Sequence, residues 1–189
     1  LEIKNKNYIF SILISENKGI YKAINQALDI LDDSEPYLVL GAGDILKINA
    51  KVTFDSKSQI YYFPYCLSSN VEKLINKFRI KFSGMPYCHN AIVFRKNKLR
   101  YNQFYSLSAD YEYFLRYIRN FIFPESLLKQ NIVMEEVKSG YIIYESQNGI
   151  SSKKKLLVHK QNLLIIFKYL SIIGVFIYLI LLINKSFFR

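Results

Sequence analysis

Apolar and polar positions along the first forty residues change period twice. "YIFSILIS" (Tyr8 to Ser15) is a nearly continuous apolar run of the length of a buried strand. Four polar or flexible residues follow, Glu16 to Gly19. Ile20, Ala23, Ile24, Ala27, Leu28 and Leu31 then recur at helical spacing, with Lys22, Gln26 and Asp29 off the stripe. "LDDSEP" ends that helix, and "YLVL" (Tyr37 to Leu40) reads as a second short strand running into "GAGD". Strand, helix, strand in this order predicts a βαβ unit with a parallel sheet, in which ligands gather at the carboxyl ends of the strands. Both polar turns lie there. The first brings backbone N–H groups and a lysine to a helix N-terminus, an arrangement suited to an anionic ligand.

Further along, "KVTFD" and "QIYYFPYC" flank "SKS" and predict a hairpin, and "AIVF" (Ala91 to Phe94) predicts a strand. "ADYEYFLRYIRN" (Ala109 to Asn120) carries Tyr111, Phe114, Leu115 and Ile118 at i, i+3, i+4 and i+7, the stripe of a helix. The longest apolar run is Leu163 to Ile183, interrupted only by Lys168. At about 1.5 Å per residue it just spans a hydrocarbon core of about 30 Å, so a membrane-inserted C-terminal helix is expected, with a buried amphipathic helix as the alternative. Lys153, Lys154, Lys155 and Lys160 precede the run and Lys185 and Arg189 follow it, a balance that under the positive-inside rule favours a cytoplasmic side for the body of the protein. The compositional boundary near Gly149 divides the chain into a domain at 1–150 and a basic linker plus helix at 151–189.

Charge changes this picture less than its total suggests. The net charge of +11 comes mostly from the tail, because all 15 acidic residues lie before Ser151 against 19 Lys and Arg there, and the tail has seven cations and no acid. With 16 Tyr and 14 Phe the composition is compatible with an RNA-binding face, but no RNP-type string or regular basic and aromatic alternation is present, so no nucleic-acid partner is expected. An apolar content of 51% excludes a disordered chain. Leu1 to Tyr8 has no signal-peptide pattern, and a start at Leu1 reads as a fragment or a processed chain. Two cysteines, Cys66 and Cys88, are too few for a disulfide framework and lack zinc spacing. Cys88 next to His89 is half of a nucleophile or metal site, or an ordinary pair near a core.

Two carboxylates stand out. Asp44 follows a strand and the glycines Gly41 and Gly43, which let a ligand approach closely, and it reads either as a ligand to one divalent cation or as a solvated turn residue. Asp110 opens its helix and reads either as a general base or, like Ser108, as a cap, with Glu112 the second candidate for the base.

The order of "SENKGIYKAIN", "LVLGAGD", "MPYCHNAIVFRK" and "SADYEYFLR", closed by "GISSKK", resembles the family 2 glycosyltransferases of bacterial polysaccharide and O-antigen synthesis. Their corresponding forms look like "SExDKGIYDAMNKG", "fLNSGD", "CHQA" and "aDYEFxLR". The likeness covers about Tyr8 to Lys155 and departs at Asn17, Lys22, Gly41 and Ala42. It implies an α/β, GT-A-like (Rossmann-like) mixed sheet with flanking helices. The family's "PTYN"-like opening strand and "DGGSTDGT" segment are not found, so the N-terminal strands are expected to be missing. It further implies an inverting transfer from a nucleotide-sugar donor to a lipid-linked or saccharide acceptor at the bacterial inner membrane. Asp44 would then meet a divalent cation (Mg²⁺ or Mn²⁺), Asp110 would be the catalytic base, and Lys18, Gly19, Asn25 and His89 would line the donor site. The alternative is a non-catalytic membrane-associated remnant of such a domain.

Overall fold

The computed structural model describes residues 19–55, 60–75, 84–122, 134–145, 153–170 and 172–187. The expected strand Tyr8 to Ser15, Lys18 and the "SKS" turn lie outside them. The architecture is mixed α/β with two mixed four-stranded sheets. Chain order is α1 (Ile20–Ile30), β1 (Pro36–Leu38), β2 (Ile45–Ile48), β3 (Ile60–Tyr62), β4 (Tyr65–Leu67), β5 (Asn70–Ile75), β6 (Ile92–Arg95), α2 (Ala109–Ile122), β7 (Met134–Glu136), β8 (Gly140–Tyr144), α3 (Lys155–Leu170) and α4 (Ile172–Phe187).

One sheet runs β1-β6-β3-β7, with β6 antiparallel to both neighbours and β3 parallel to β7. The other runs β2-β8-β4-β5, with β8 antiparallel to β2 and parallel to β4. Gly140 opens β8 opposite Ile48, where a side chain would collide with the Lys47 carbonyl. Parallel pairing is therefore present, but the strand after α1, β1, pairs antiparallel with β6. The expected hairpin is not formed either. Residues 51–55 make no strand, and the Arg95 guanidinium donates to the carbonyls of Phe54 and Asp55 while the Tyr61 hydroxyl donates to that of Asp55. Carbonyls taken by side chains are not free for a ladder.

The inward face of α1 is rotated from the predicted stripe. Tyr21, Ile24, Leu28 and Leu31 pack inward, whereas Ile20 and Ala27 are exposed. Two polar anchors decide this. Tyr21 reaches Asp110, and Asn25 both donates to the Tyr101 carbonyl (2.9 Å) and accepts from its N–H (2.7 Å). A hydrogen-bonded pair of this kind fixes helix rotation where small apolar residues such as Ala27 have little to gain from burial.

Helix α2 is central. Tyr113 and Tyr117 face the first sheet, where Tyr113 accepts from Tyr37 (2.7 Å) and stacks on Tyr101 with ring centroids 4.2 Å apart. The Tyr117 hydroxyl donates to the Arg95 carbonyl and accepts from its N–H, each at 3.1 Å. From its other side α2 meets α3.

The C-terminal expectation of one membrane-crossing helix is corrected. The apolar run is divided between α3 and α4, each of 16 residues, and among the described residues no helix is long and apolar enough to cross a membrane. At about 1.5 Å per residue such a helix covers roughly 24 Å, short of a hydrocarbon core of about 30 Å. Moreover, α3 carries polar side chains that the rest of the fold satisfies. Gln161 accepts from the Leu107 N–H (3.0 Å) and donates to Ser106 (3.1 Å), and His159 shares a 2.6 Å hydrogen bond with Tyr178 of α4. Ile165 and Ile166 are wholly buried in the same core as α2.

Candidate functional site

A cavity of about 340 Å³ opens between the first turn of α2, the turn preceding β6, and strands β4 and β8. Its polar lining is Asp110, His89 and Asn90, with Cys88 beside them; its walls are aromatic and apolar, chiefly Tyr65, Tyr87, Tyr144 and Met85. A mostly apolar concavity with a few convergent polar groups is the usual form of a small-molecule site.

"CHNA" builds one side. Residues His89–Ala91 form a single 3₁₀ turn, closed by the Ala91 N–H donating to the Cys88 carbonyl (3.0 Å), and the Ala91 carbonyl accepts from the Phe63 N–H (2.8 Å). This fixes three consecutive side chains at the cavity. His89 Nε2 shares a 2.8 Å hydrogen bond with the Tyr101 hydroxyl, and burial pushes its pKa down against the opposing pull of Asp110. A neutral ring at neutral pH follows. Burial pushes the Cys88 thiol up to about 12, which favours the neutral thiol over the thiolate and so counts against the nucleophile reading of "CH".

"ADYE" builds the opposite side. Asp110 is half-buried, and its Oδ1 accepts from the Tyr111 N–H (2.9 Å) and the Tyr21 hydroxyl (3.4 Å). No partner among the described residues reaches Oδ2. Glu112, two residues on, is different in kind. It is 1% exposed, and its carboxylate accepts from Arg116 Nε (2.7 Å), the same guanidinium's outer nitrogen (2.8 Å) and the Tyr169 hydroxyl (2.6 Å). Glu112 joins α2 to α3 and does not line the cavity.

Asp44 sits next door and is joined to the cavity through Asn90. Its Oδ2 accepts from the Gly41 N–H (2.8 Å) and from Asn90 Nδ2, and its Oδ1 accepts from the Glu145 N–H (3.0 Å). The carboxylate thus holds the "GAGD" turn and ties the start of β2 to the end of β8. Among the described residues three of its roughly four acceptor positions are used, and the fourth suits a monodentate contact to a cation whose other ligands are substrate phosphates and water. Among the described residues no three His, Cys, Asp or Glu side chains gather into a metal-holding group.

Of the sequence candidates, Asp110 and His89 meet in the cavity and Asp44 lies one residue's reach away. Asn25 is spent on the Tyr101 backbone, and Gly19, with φ of 128°, serves the entry to α1. Tyr21 and Asn90, which position the two aspartates, were not singled out from sequence. Asn90 had a signal, since it continues "CH" into the same turn; Tyr21 had none, because an aromatic at the head of an amphipathic helix reads as core. No protein-family model, no curated protein and no solved structure matches the chain.

Proposed function

We propose that this chain serves an inverting, GT-A-like glycosyltransferase that moves a sugar from a nucleotide-sugar donor to a lipid-linked or saccharide acceptor. The work is placed at the cytoplasmic face of a bacterial inner membrane, in cell-surface polysaccharide synthesis. One observation carries the reading: Asp110, with one carboxylate oxygen unengaged among the described residues, faces a sugar-sized cavity beside a neutral histidine, with the Asp44 turn held alongside by Asn90. These groups come from three stretches of sequence.

In this mechanism Asp110 takes the proton of the acceptor hydroxyl as its oxygen bonds to the anomeric carbon from the side opposite the leaving group. The breaking carbon–oxygen bond leaves its electron pair on the nucleoside diphosphate. Tyr21 holds Asp110 Oδ1, which orients the carboxylate and leaves Oδ2 for the hydroxyl. His89, neutral, gives or takes a hydrogen bond to the sugar without placing a charge beside the base. A divalent cation at Asp44 would neutralise charge developing on the diphosphate.

Asp110→Asn in the full-length protein is expected to keep nucleotide binding and to lower turnover by roughly two to four orders of magnitude. Absence of metal-dependent binding of any nucleotide sugar or nucleoside diphosphate, measured by titration calorimetry on that protein, would sink the reading. A specific observation favours a second one, the non-catalytic remnant: the Asp44 carboxylate already has three donors within the fold. For a remnant, Asp44→Ala lowers stability and changes no ligand affinity.

A further inference from the structure

We infer that the outward face of α4 docks on an anionic lipid surface, seating the protein on one leaflet without crossing it. This stands apart from the reading of the cavity. The inner side of α4 is used by the fold: Gly174 and Tyr178 are buried, and Val175 and Leu182 pack against the core. The outer side is Ile172, Ile173, Phe176, Leu179, Ile180 and Ile183, each between 40% and 67% exposed. Their spacing puts them on one stripe about three turns long. On α3, Leu164 and Phe167 are exposed as well.

Such a patch on a folded chain marks a surface that meets something apolar. Three features choose the occupant. The stripe has no polar side chain, whereas protein interfaces carry about one hydrogen bond per 100–200 Å², so it offers a protein partner nothing to fix register. The segment from Ser151 onward has seven Lys and Arg and no acid, and Lys153, Lys154, Lys155, Lys160 and Lys168 of α3 and its approach are exposed. Anionic headgroups complement that charge, while a second copy of the chain would bring two acid-free, sevenfold basic segments together. Finally, α4 is too short to span and its inner side is committed to α3, so it lies in the interface with its outer side at the acyl boundary.

The chain contains no tryptophan, so Phe176→Trp gives a single fluorescent reporter by a conservative change at an exposed position. With phosphatidylglycerol-containing vesicles its emission is expected to shift to the blue and to be quenched by brominated acyl chains. The full chain is expected to float with those vesicles and to stay bound in part at about 1 M NaCl, where charge is screened but apolar burial is not. Phe176→Glu with Ile180→Glu is expected to weaken vesicle partition about tenfold or more at an unchanged thermal midpoint. An unshifted tryptophan, or a double variant that floats like the parent, overturns the proposal. So does a dimer in light scattering that the double variant converts to monomer, which would assign the face to a second copy.

Discussion

Helices α2 and α4 are close in length, 14 and 16 residues, and both are crowded with large apolar side chains, yet one is enclosed and the other half-bare. The difference lies in their hydroxyls. On α2, Tyr113 and Tyr117 each reach a specific partner on the first sheet, and α4 has one tyrosine, turned inward to His159. A buried tyrosine needs both an apolar surround and a hydrogen-bond partner, which together define an address. An aliphatic stripe needs only the exclusion of water, and any apolar medium supplies that.

The sharpest way to break this comparison is Tyr113→Ala, expected to cost about 3–5 kcal/mol in urea unfolding, because it empties a stacked core position and strips Tyr37 of its acceptor. A cost below about 1 kcal/mol, the range of an ordinary surface site, would show that α2 is no better anchored than α4. Glu112→Ala comes next at about 3 kcal/mol, since it leaves the part-buried Arg116 without its carboxylate and frees Tyr169 from α2. The same measurement on Tyr169→Phe isolates the α3 bond, with an expected loss of about 1 kcal/mol.

A smaller effect depends on pH. The folded pKa of His89 lies below its ordinary value of 6.5, so its contribution to stability is fully present above that value and is lost as pH falls through and below it. Midpoints measured from pH 7.5 to 5 should therefore fall more steeply for the parent than for His89→Gln; parallel slopes would contradict the burial argument. Smallest of all, Phe176→Glu on α4 should change stability by no more than about 0.5 kcal/mol, the mirror image of Tyr113→Ala on α2.

Local signals in the sequence were good guides where one residue type has one use. "AIVF" became β6, "ADYEYFLR" became the first turns of α2, and "GAGD" became the turn that Asp44 closes, because glycine, short apolar runs and an acidic helix start act on their immediate neighbours. The errors came from partners far along the chain. Nothing within residues 51–55 announces that Arg95 will take their carbonyls, and nothing in "IYKAIN" says that Asn25 will clamp Tyr101. Leu163 to Ile183 is apolar, but the expectation of one membrane-inserted helix does not hold, and the buried amides of Gln161 and Asn162 just ahead of the run were the clue that α3 serves the core. At the site, the acid and the histidine were legible as residue types. That both Glu112 oxygens are taken is a property of Arg116 and Tyr169, while among the described residues Asp110 keeps Oδ2 unengaged, and no spacing rule weighs either.

The two parallel strand pairs also set the order in which this chain can assemble. Ile60 waits for Met134, and Tyr65 waits for Ile142, so each sheet closes across more than seventy intervening positions. In the second sheet β8 is the inner strand through which β2 and β4 are joined, so until residue 144 has left the ribosome β2 has no neighbour, and β4 has only β5, among the described strands. Pairings of such high sequence separation are slow, because the loop-closure entropy is lost before any ladder forms. During synthesis the nascent chain therefore displays open strand edges rich in tyrosine and isoleucine, the species that chaperones bind and that aggregates grow from. Chains ending before Tyr144 are expected to be insoluble on expression, however complete their first sheet.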